Sequence, residues 1–447
     1  MALFADIWQR IWESVVDNRN KLTATGGFLL GIIATLGFKD FYPDLERAYQ
    51  RTSRQHRRIT RPSFGKPERL SLEDHENDLE KVVSSASNNA YEIREGVDGL
   101  IGNTPLIKLR ALSEATGCEI LAKAEFLNGA GNSPKDRVAL SMINYAEEAG
   151  LLQPGRGDVV YEGTVGSTGI SLAAVCRARG YKAHICMPSD VSTDKSDLLL
   201  KLGATVERVK PASIIDQNQF VNTARRRAQE HTDDPTREGR GFFADQFENT
   251  ANYLAHELTT GPEIYSQCNG QLDAFVAGAG TGGTLSGVAL ALKPLLPEMK
   301  VVLADPQGSS LFNKIKYGVM FSPTEAEGTR RRHQVDSIVE GVGINRLTKN
   351  FEAGMHLIDD AIKVHDVDAL AMARWLVEKE GLFVGASSAI NLVAAARLAK
   401  QMGGGGQRIV TVICDSGSRH LSRFWKDIGE EGEVVELDDI IGDMKAV

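Results

Sequence analysis

The chain has 447 residues, of which 42% are hydrophobic and 25% charged, and its formal net charge is -8. This is ordinary globular composition, long enough for one large two-lobed enzyme or about two to three average domains. The mild negative charge and the lack of a basic periodic face argue against a nucleic-acid partner. The five cysteines form no CxxC pair, so we expect reduced core thiols and no metal site.

The first long apolar stretch is LTATGGFLLGIIATLGF at residues 22–38, which carries no charge and has Lys21 and Lys39 at its ends. As a helix it would span roughly 25 Å, slightly less than a hydrocarbon core of about 30 Å. The tail at residues 1–21 lacks the basic start and the cleavage site of a secretory signal. We therefore predict a single transmembrane anchor, of the short, basic-flanked kind typical of the mitochondrial outer membrane. An endoplasmic reticulum anchor and a buried glycine-rich helix are the alternatives.

Residues 39–92 are rich in charge and poor in periodic apolar residues, which predicts a polar linker. From residue 93 onward, short apolar runs alternate with helical patterns, as in DVVYE at 158–162, a helix at 170–180 and KAHICMP at 182–188. Such alternation is typical of an α/β fold with parallel sheets flanked by helices. Further strands are expected at 204–210, 273–278, 300–305 and 408–417. We place the folded domain at 93–428 and a C-terminal extension at 429–447.

The run GAGTGGTLSG at residues 278–287 lies between an apolar strand and a helical pattern. Its glycines let backbone amides approach an anion, and its threonines add hydroxyl donors at a helix N-terminus, where the dipole favours phosphate. We therefore predict a phosphate cup formed by Gly280, Thr281, Gly282, Gly283 and Thr284. A dinucleotide-binding turn is less suitable, because no acidic residue ends the next strand in the expected way; Asp305 is the nearest. A tight turn without a ligand is the other alternative.

A second glycine-rich loop, EGTVGSTGISLA at residues 162–173, also connects a strand to a helix. Its hydroxyls and amides form a nest suited to a carboxylate, which we call the substrate loop, with the candidate residues Thr164, Gly166, Ser167 and Thr168. A simple helix cap would explain Ser167 and Thr168 almost as well. Two anion sites in one chain indicate a ligand or ligands with two anionic ends.

Lys135 stands in NGAGNSPKDRVAL, at the predicted start of a helix. The dipole at a helix N-terminus disfavours an ammonium group, which helps to free the amine for Schiff-base chemistry. On position alone, an ordinary surface lysine is the better explanation, and the catalytic interpretation depends on the three loops taken together.

Taken in order, these segments resemble the cysteine synthase and cystathionine β-synthase family of fold-type II pyridoxal-phosphate enzymes. The resemblance covers about residues 93–425, and it includes IGNTPLIKL at 101–109, QFENTAN at 246–252 and EGVGINRLTKNF at 340–351. It implies a two-lobed catalytic domain, pyridoxal 5'-phosphate as cofactor and, by analogy alone, a homodimer.

Carried over residue by residue, the resemblance makes Lys135 the Schiff-base lysine and catalytic base, and it makes residues 280–284 the cup for the cofactor phosphate. Ser387 is the implied partner of the pyridine nitrogen. A serine hydroxyl cannot stabilise a pyridinium as a carboxylate would, which favours β-elimination over transamination. The resemblance also places Ser167 at the ring hydroxyl of the cofactor. The residues implied to bind the substrate are Thr164, Gly166, Ser167, Thr168 and Gln246.

The implied reaction is that of a transferase, which replaces the acetate of O-acetyl-L-serine by sulfide and forms L-cysteine. The substrate amine displaces Lys135 from the cofactor, Lys135 removes the α-proton, acetate leaves, sulfide adds, and Lys135 returns a proton. Haem-bearing cystathionine β-synthases need an N-terminal Cys and His pair, whereas the first cysteine here is Cys118.

The sequence departs from the family pattern at several positions near the pocket. The lysine loop is one residue longer and has Pro134 before the lysine, Ser167 replaces an asparagine, Val165 replaces a small residue, and Ala389 replaces a glycine. These changes leave three alternatives open: a different acyl donor or nucleophile, a cystathionine β-synthase-like activity, and a membrane-tethered scaffold without catalysis.

Overall fold

The computed structural model describes residues 93–191, 193–212, 214–321, 337–428 and 436–442. They form two sheets, a six-stranded one in the order β1-β2-β10-β7-β8-β9 and a four-stranded one in the order β5-β4-β3-β6. The strands are β1 Leu106–Lys108, β2 Glu119–Ala124, β3 Val159–Gly163, β4 Lys182–Pro188, β5 Thr205–Val209, β6 Gly241–Phe243, β7 Ala274–Gly278, β8 Lys300–Pro306, β9 Asp360–Val364 and β10 Arg408–Ile413.

Helices cover both sheets. Those of the first half are α1 Arg110–Thr116, α2 Lys135–Glu148, α3 Ser167–Arg179, α4 Thr193–Lys201, α5 Phe220–Asp233, α6 Ala251–Ala255 and α7 Gly261–Gln267. Those of the second half are α8 Gly283–Leu292, α9 Leu311–Tyr317, α10 Lys349–Met355, α11 Asp366–Glu380, α12 Ala386–Gln401, α13 Phe424–Ile428 and α14 Leu437–Ile441. A π-helical turn, His256–Thr260, joins α6 to α7.

The predicted α/β class with parallel sheets is confirmed. Each strand pair in the sheets is parallel except β1 with β2, which is antiparallel. Strands of a parallel sheet are buried on both faces, which is why they appear in the sequence as continuous apolar runs. Helix α12 is buried from Ala386 through Ala399, and its apolar residues belong to the core of the larger lobe.

The last described helix packs on the larger lobe. Leu437, Ile440 and Ile441 of α14 are buried in the same apolar cluster as α11 and α12. The Arg397 guanidinium donates to the carbonyl of Ile440 at 2.9 Å and pairs with Asp368 at 2.9 Å. The domain boundary predicted at residue 428 leaves α14 outside the folded domain, although this helix is part of its core.

Among the described residues, no helix is long and apolar enough to cross a membrane. The predicted anchor at 22–38, the tail at 1–21 and the linker at 39–92 lie outside the described residues. All five cysteines are free thiols, and all but the half-buried Cys414 are buried, as predicted.

A cluster of charged side chains is buried near the N-terminus of α2. Arg137 binds both oxygens of Glu125 at 2.8 Å and contacts Glu263 at 2.6 Å, while Lys123 contacts Glu263 at 2.6 Å. Burial alone would raise the pKa of Glu125, but the nearby Arg137 and Lys123 outweigh it and hold this pKa at about 2. The cluster therefore depends on every partner remaining charged.

We expect Glu125→Gln to lower the free energy of unfolding by about 3 kcal/mol at pH 7, because it leaves buried positive charge less compensated. Since the folded-state pKa of Glu125 lies below its usual value, its contribution is complete above about pH 4.5 and is lost as the pH falls toward 2. Urea unfolding at neutral and acidic pH measures both effects, with the exposed Glu114→Gln as control. Equal unfolding midpoints for Glu125→Gln and the unmodified chain would contradict the expectation.

Candidate active site

Lys135 is the first residue of α2, preceded by Pro134 as the capping residue, and it is half-buried. Burial lowers the pKa of His256 to about 3, and the positive charge of Lys135 acts on it in the same direction. Burial raises the pKa of Cys414 to about 11, and Lys135 opposes that shift. Lys135 is thus within electrostatic range of the buried His256 and the half-buried Cys414.

Asp136, the residue after Lys135, anchors the loop that precedes the lysine. The Asp136 carboxylate accepts from the backbone N–H of Gly131 at 2.7 Å and from the Ser171 hydroxyl at 2.5 Å. A Cβ at Gly131 would lie 2.6 Å from both side chains, so only glycine fits there. These contacts fix the loop that precedes Lys135 against α3.

The predicted phosphate cup lies between the end of β7 and the start of α8. Gly282 has φ +86°, a conformation that suits glycine, and a Cβ there would lie 2.5 Å from Cβ of Phe351. The Thr348 hydroxyl donates to the carbonyl of Thr281 at 2.7 Å, which fixes the loop from outside. The first N–H groups of α8, at Gly283 and Thr284, have no partner within the helix and can bind an anion.

The π-helical turn places a neutral imidazole behind the cup. Nε2 of His256 lies 3.1 Å from Oγ1 of Thr284, and Nδ1 lies 2.9 Å from Oγ1 of Thr260. With a pKa of about 3, this ring stays neutral at physiological pH, so it orients the Thr284 hydroxyl without adding charge. π-turns are frequent at functional sites, and this one provides a positioning residue that was not predicted.

The substrate loop begins at the end of β3. The backbone N–H of Thr164 donates to the carbonyl of Cys186 at 3.0 Å, and the Thr168 hydroxyl donates to Oε1 of Gln246 at 2.6 Å. Buried Glu162 accepts from the backbone N–H groups of Gly163 at 2.9 Å and Gln246 at 3.1 Å. These contacts bring Thr164, Thr168 and Gln246 into one polar pocket. Burial raises the pKa of Glu162 to about 8.

The remaining residues of the substrate loop lie beside this pocket. Ser167 begins α3 after Gly166, and its carbonyl accepts from the Ser171 hydroxyl at 3.0 Å. A Cβ at Gly166 would lie 3.6 Å from the amine of Lys195, which forms an ion pair with Glu340. A positive charge from α4 therefore stands next to the loop that was predicted to hold a carboxylate.

Asn252 joins the substrate loop to the phosphate cup. Its Nδ2 donates to the carbonyl of Gln246 at 2.7 Å and to Oγ1 of Thr281 at 2.9 Å. Neither Asn252 nor His256 was singled out from the sequence, although Asn252 ends the segment QFENTAN that carried part of the resemblance. That segment is the signal that could have identified it.

Ser387 is buried in the first turn of α12. It hydrogen-bonds the Cys414 thiol, and the neighbouring Ser388 accepts from the Cys414 backbone N–H at 2.9 Å. The charge of Lys135 acts on His256, which contacts Thr284, and on Cys414, which contacts Ser387. A helix N-terminus, a lysine amine and a buried hydroxyl arranged in this way fit the phosphate, the aldehyde and the ring nitrogen of pyridoxal 5'-phosphate.

Comparisons with known proteins identify the family. A family model described as pyridoxal-phosphate dependent enzyme matches residues 97–415. Cysteine synthase 2 of Neurospora crassa is 60% identical over 426 residues, which cover 91% of this chain and 92% of that protein. A Saccharomyces cerevisiae protein, provisionally named a mitochondrial cysteine synthase, is 55% identical over 352 residues, covering 78% of this chain and 88% of the relative.

A solved structure of Entamoeba histolytica cysteine synthase superposes with a TM-score of 0.66 at 27% sequence identity, covering 80% of this chain and 98% of that one. The region that the family model matches, residues 97–415, includes Lys135, the cup and Ser387. The chain therefore belongs to the family of pyridoxal-phosphate dependent enzymes.

Proposed function

We propose that this chain is a pyridoxal-phosphate-dependent cysteine synthase, which replaces the acetate of O-acetyl-L-serine by sulfide and releases L-cysteine. The observation that carries the proposal is the convergence of the lysine loop, the substrate loop and the cup. Asp136, next to Lys135, accepts from Ser171 of the substrate loop at 2.5 Å. Asn252 joins Gln246 to Thr281 of the cup. The 60% identity to a cysteine synthase over most of the chain supports the choice of reaction within the family.

When bound, the cofactor supplies an electron sink that makes the α-proton of the amino acid acidic. Lys135 then removes that proton and returns it at the same carbon. Thr164, Gly166, Ser167 and Thr168 of the substrate loop, together with Gln246, hold the substrate carboxylate. Ser387 donates to the ring nitrogen without charging it.

The decisive experiment uses the full-length protein loaded with pyridoxal 5'-phosphate. O-acetyl-L-serine alone should change the visible absorbance of the bound cofactor, and sulfide should restore it with stoichiometric release of L-cysteine. Serine with homocysteine, supplied instead, tests the cystathionine β-synthase alternative. A fully loaded protein that gives no spectral change with O-acetyl-L-serine and no cysteine would overturn the proposal. A protein that does not bind the cofactor would favour the scaffold alternative.

For the substrate loop, we expect Thr168→Val to raise the KM for O-acetyl-L-serine by about 10–100-fold, because a hydrogen bond to a charged group contributes about 1.5–3 kcal/mol. The change also removes the hydroxyl that orients Gln246 at 2.6 Å. Steady-state kinetics measure the effect. Thr168→Ser keeps the hydroxyl and should stay near the parent KM. Equal KM values for the valine and serine variants would contradict a role of this hydroxyl in carboxylate binding.

We also propose that the enzyme is mitochondrial and is held in the outer membrane by a single-pass anchor at residues 22–38. The uncharged run between Lys21 and Lys39 supports the anchor, and the S. cerevisiae relative supports the organelle. Deleting residues 1–40 should move the protein from the alkali-resistant membrane pellet to the supernatant, because the apolar segment is then absent. Deleting residues 1–21 alone should leave it in the pellet. Pelleting of both variants would contradict the anchor.

By analogy with the family, we propose that the catalytic domain forms a homodimer. Sedimentation velocity of the detergent-solubilised chain distinguishes a dimer from a monomer.

A further inference from the structure

A group of potential metal ligands lies on the four-stranded sheet, apart from the cofactor site. His184 and Cys186 are two residues apart on β4, so their side chains point to the same face. Glu207 of β5 is the register partner of Cys186 and shares that face. Helix α5 covers this face, and its Arg227 pairs with Glu207 at 2.8 Å. β5 is the edge strand, and the side chains of His184 and Glu207 are partly exposed, whereas Cys186 is buried.

The geometry of the three side chains is close to that of a metal site. Their potential ligand atoms all lie within 4.8 Å of one another, and Nε2 of His184 is 3.1 Å from Oε2 of Glu207. In tetrahedral zinc sites, bonds of about 2.0–2.3 Å place neighbouring ligand atoms roughly 3.3–3.8 Å apart. Small side-chain adjustments would therefore close the triangle around an ion, with water as a fourth ligand.

The surroundings orient these ligands. The ring of Tyr161 stacks on His184 with centroids 4.9 Å apart, which fixes the plane of the imidazole. Nη2 of Arg227 donates to Oε1 of Glu207 at 2.8 Å, and Nε donates to Oε2 at 3.0 Å. An ion bound to Oε2 would replace the contact with Nε, while Oε1 keeps its partner. Outer hydrogen bonds of this kind to a ligating carboxylate are common in metal sites. The charge of Arg227 also limits the affinity for a cation.

The donor set selects the class of ion. An imidazole nitrogen, a sulfur and a carboxylate oxygen together suit a thiophilic ion such as zinc, whereas magnesium and calcium prefer oxygen ligands. On binding, the ion would replace the thiol proton of Cys186, which is released to water.

We propose that His184, Cys186 and Glu207 form a binding site for a thiophilic divalent cation of the zinc type. The site goes beyond the proposed function and does not depend on it. It is nevertheless close to the substrate loop, because the carbonyl of Cys186 accepts from the backbone N–H of Thr164 at 3.0 Å. An ion bound to the Cys186 side chain would thus act on the strand from which this loop begins.

The test is a titration of the metal-depleted, cofactor-loaded full-length protein with Co²⁺, a spectroscopic substitute for Zn²⁺. We expect one equivalent to produce a thiolate-to-metal charge-transfer band and tetrahedral ligand-field bands, both displaced by Zn²⁺. Cys186→Ser should abolish the charge-transfer band, and Glu207→Gln should weaken Co²⁺ binding by about 10–100-fold. The control is Cys176→Ser, which removes a buried thiol of α3 outside the group.

Retention of the cofactor's visible absorbance and of the far-ultraviolet circular dichroism shows that each variant is folded. The proposal is overturned if no thiolate band appears with the folded parent protein. It is also overturned if the band survives Cys186→Ser but disappears in Cys414→Ser, which would place the ion at the cofactor pocket. Because the readout is metal binding, it is independent of whether O-acetyl-L-serine is the substrate.

Discussion

Replacing Lys135 with alanine should lower the rate of cysteine formation by at least about 10²–10⁴-fold, the usual contribution of a positioned general base. The expected loss is at the upper end, because this amine also provides the covalent attachment of the cofactor. The proposed mechanism makes Lys135, the first residue of α2, the base for the α-proton. Stopped-flow or steady-state assays of cysteine release measure the effect.

A second readout separates chemistry from folding. The visible absorbance of the protein-linked cofactor should be lost in Lys135→Ala, while the cup still retains pyridoxal 5'-phosphate in equilibrium dialysis. Lys135→Arg should fail in the same way, because a guanidinium stays protonated. Lys182→Ala, which removes an exposed lysine of β4, is the control and should behave as the parent does. A Lys135→Ala protein with parental absorbance and rate would refute the assignment.

Gly282→Ala should weaken the binding of pyridoxal 5'-phosphate by about 10–100-fold, through a backbone strain of about 1–3 kcal/mol and a shift of the cup. The residue has φ +86°, and an added Cβ would lie 2.6 Å from Cα and 2.8 Å from the backbone nitrogen of Phe351. Neither is the end of a flexible side chain that could move aside. Fluorescence titration of the cofactor-free protein gives the dissociation constant.

The matched control is Gly318→Ala. Gly318 has φ +77° at the end of α9, but a Cβ there would have no heavy atom within 4 Å. It carries the same kind of backbone cost without the collision, so cofactor affinity should stay near that of the parent. If both variants bind the cofactor equally well, the phosphate is not held at residues 280–284.

The sequence predicted the fold well where the signal is local. The run KAHICMP predicted a strand at 182–188, and β4 is Lys182–Pro188. Both glycine-rich loops were expected between a strand and a helix, and they are found there, because glycine clusters and apolar periodicity are short-range patterns. The roles assigned to the individual site residues remain predictions.

Other features depend on contacts that no local pattern records. Asn252 and His256 reach the cup from an element that precedes it by about 30 residues, and the π-turn that places His256 has no sequence signature. The ligand group of His184, Cys186 and Glu207 joins two strands separated by a whole helix, so it matches no spaced motif. The pairing of Cys186 with Glu207 follows from sheet register, which a single sequence does not reveal.

Helix α14 holds none of the site residues, yet it contributes to the stability of the domain that carries them. Leu437, Ile440 and Ile441 are each buried, and burial of such side chains contributes about 1.5–3 kcal/mol apiece. A premature stop codon at residue 436 would leave all of the site residues intact. It would nevertheless uncover an apolar patch on α11 and α12 and deprive Arg397 of the Ile440 carbonyl, so that the shortened product would be prone to aggregation and proteolysis.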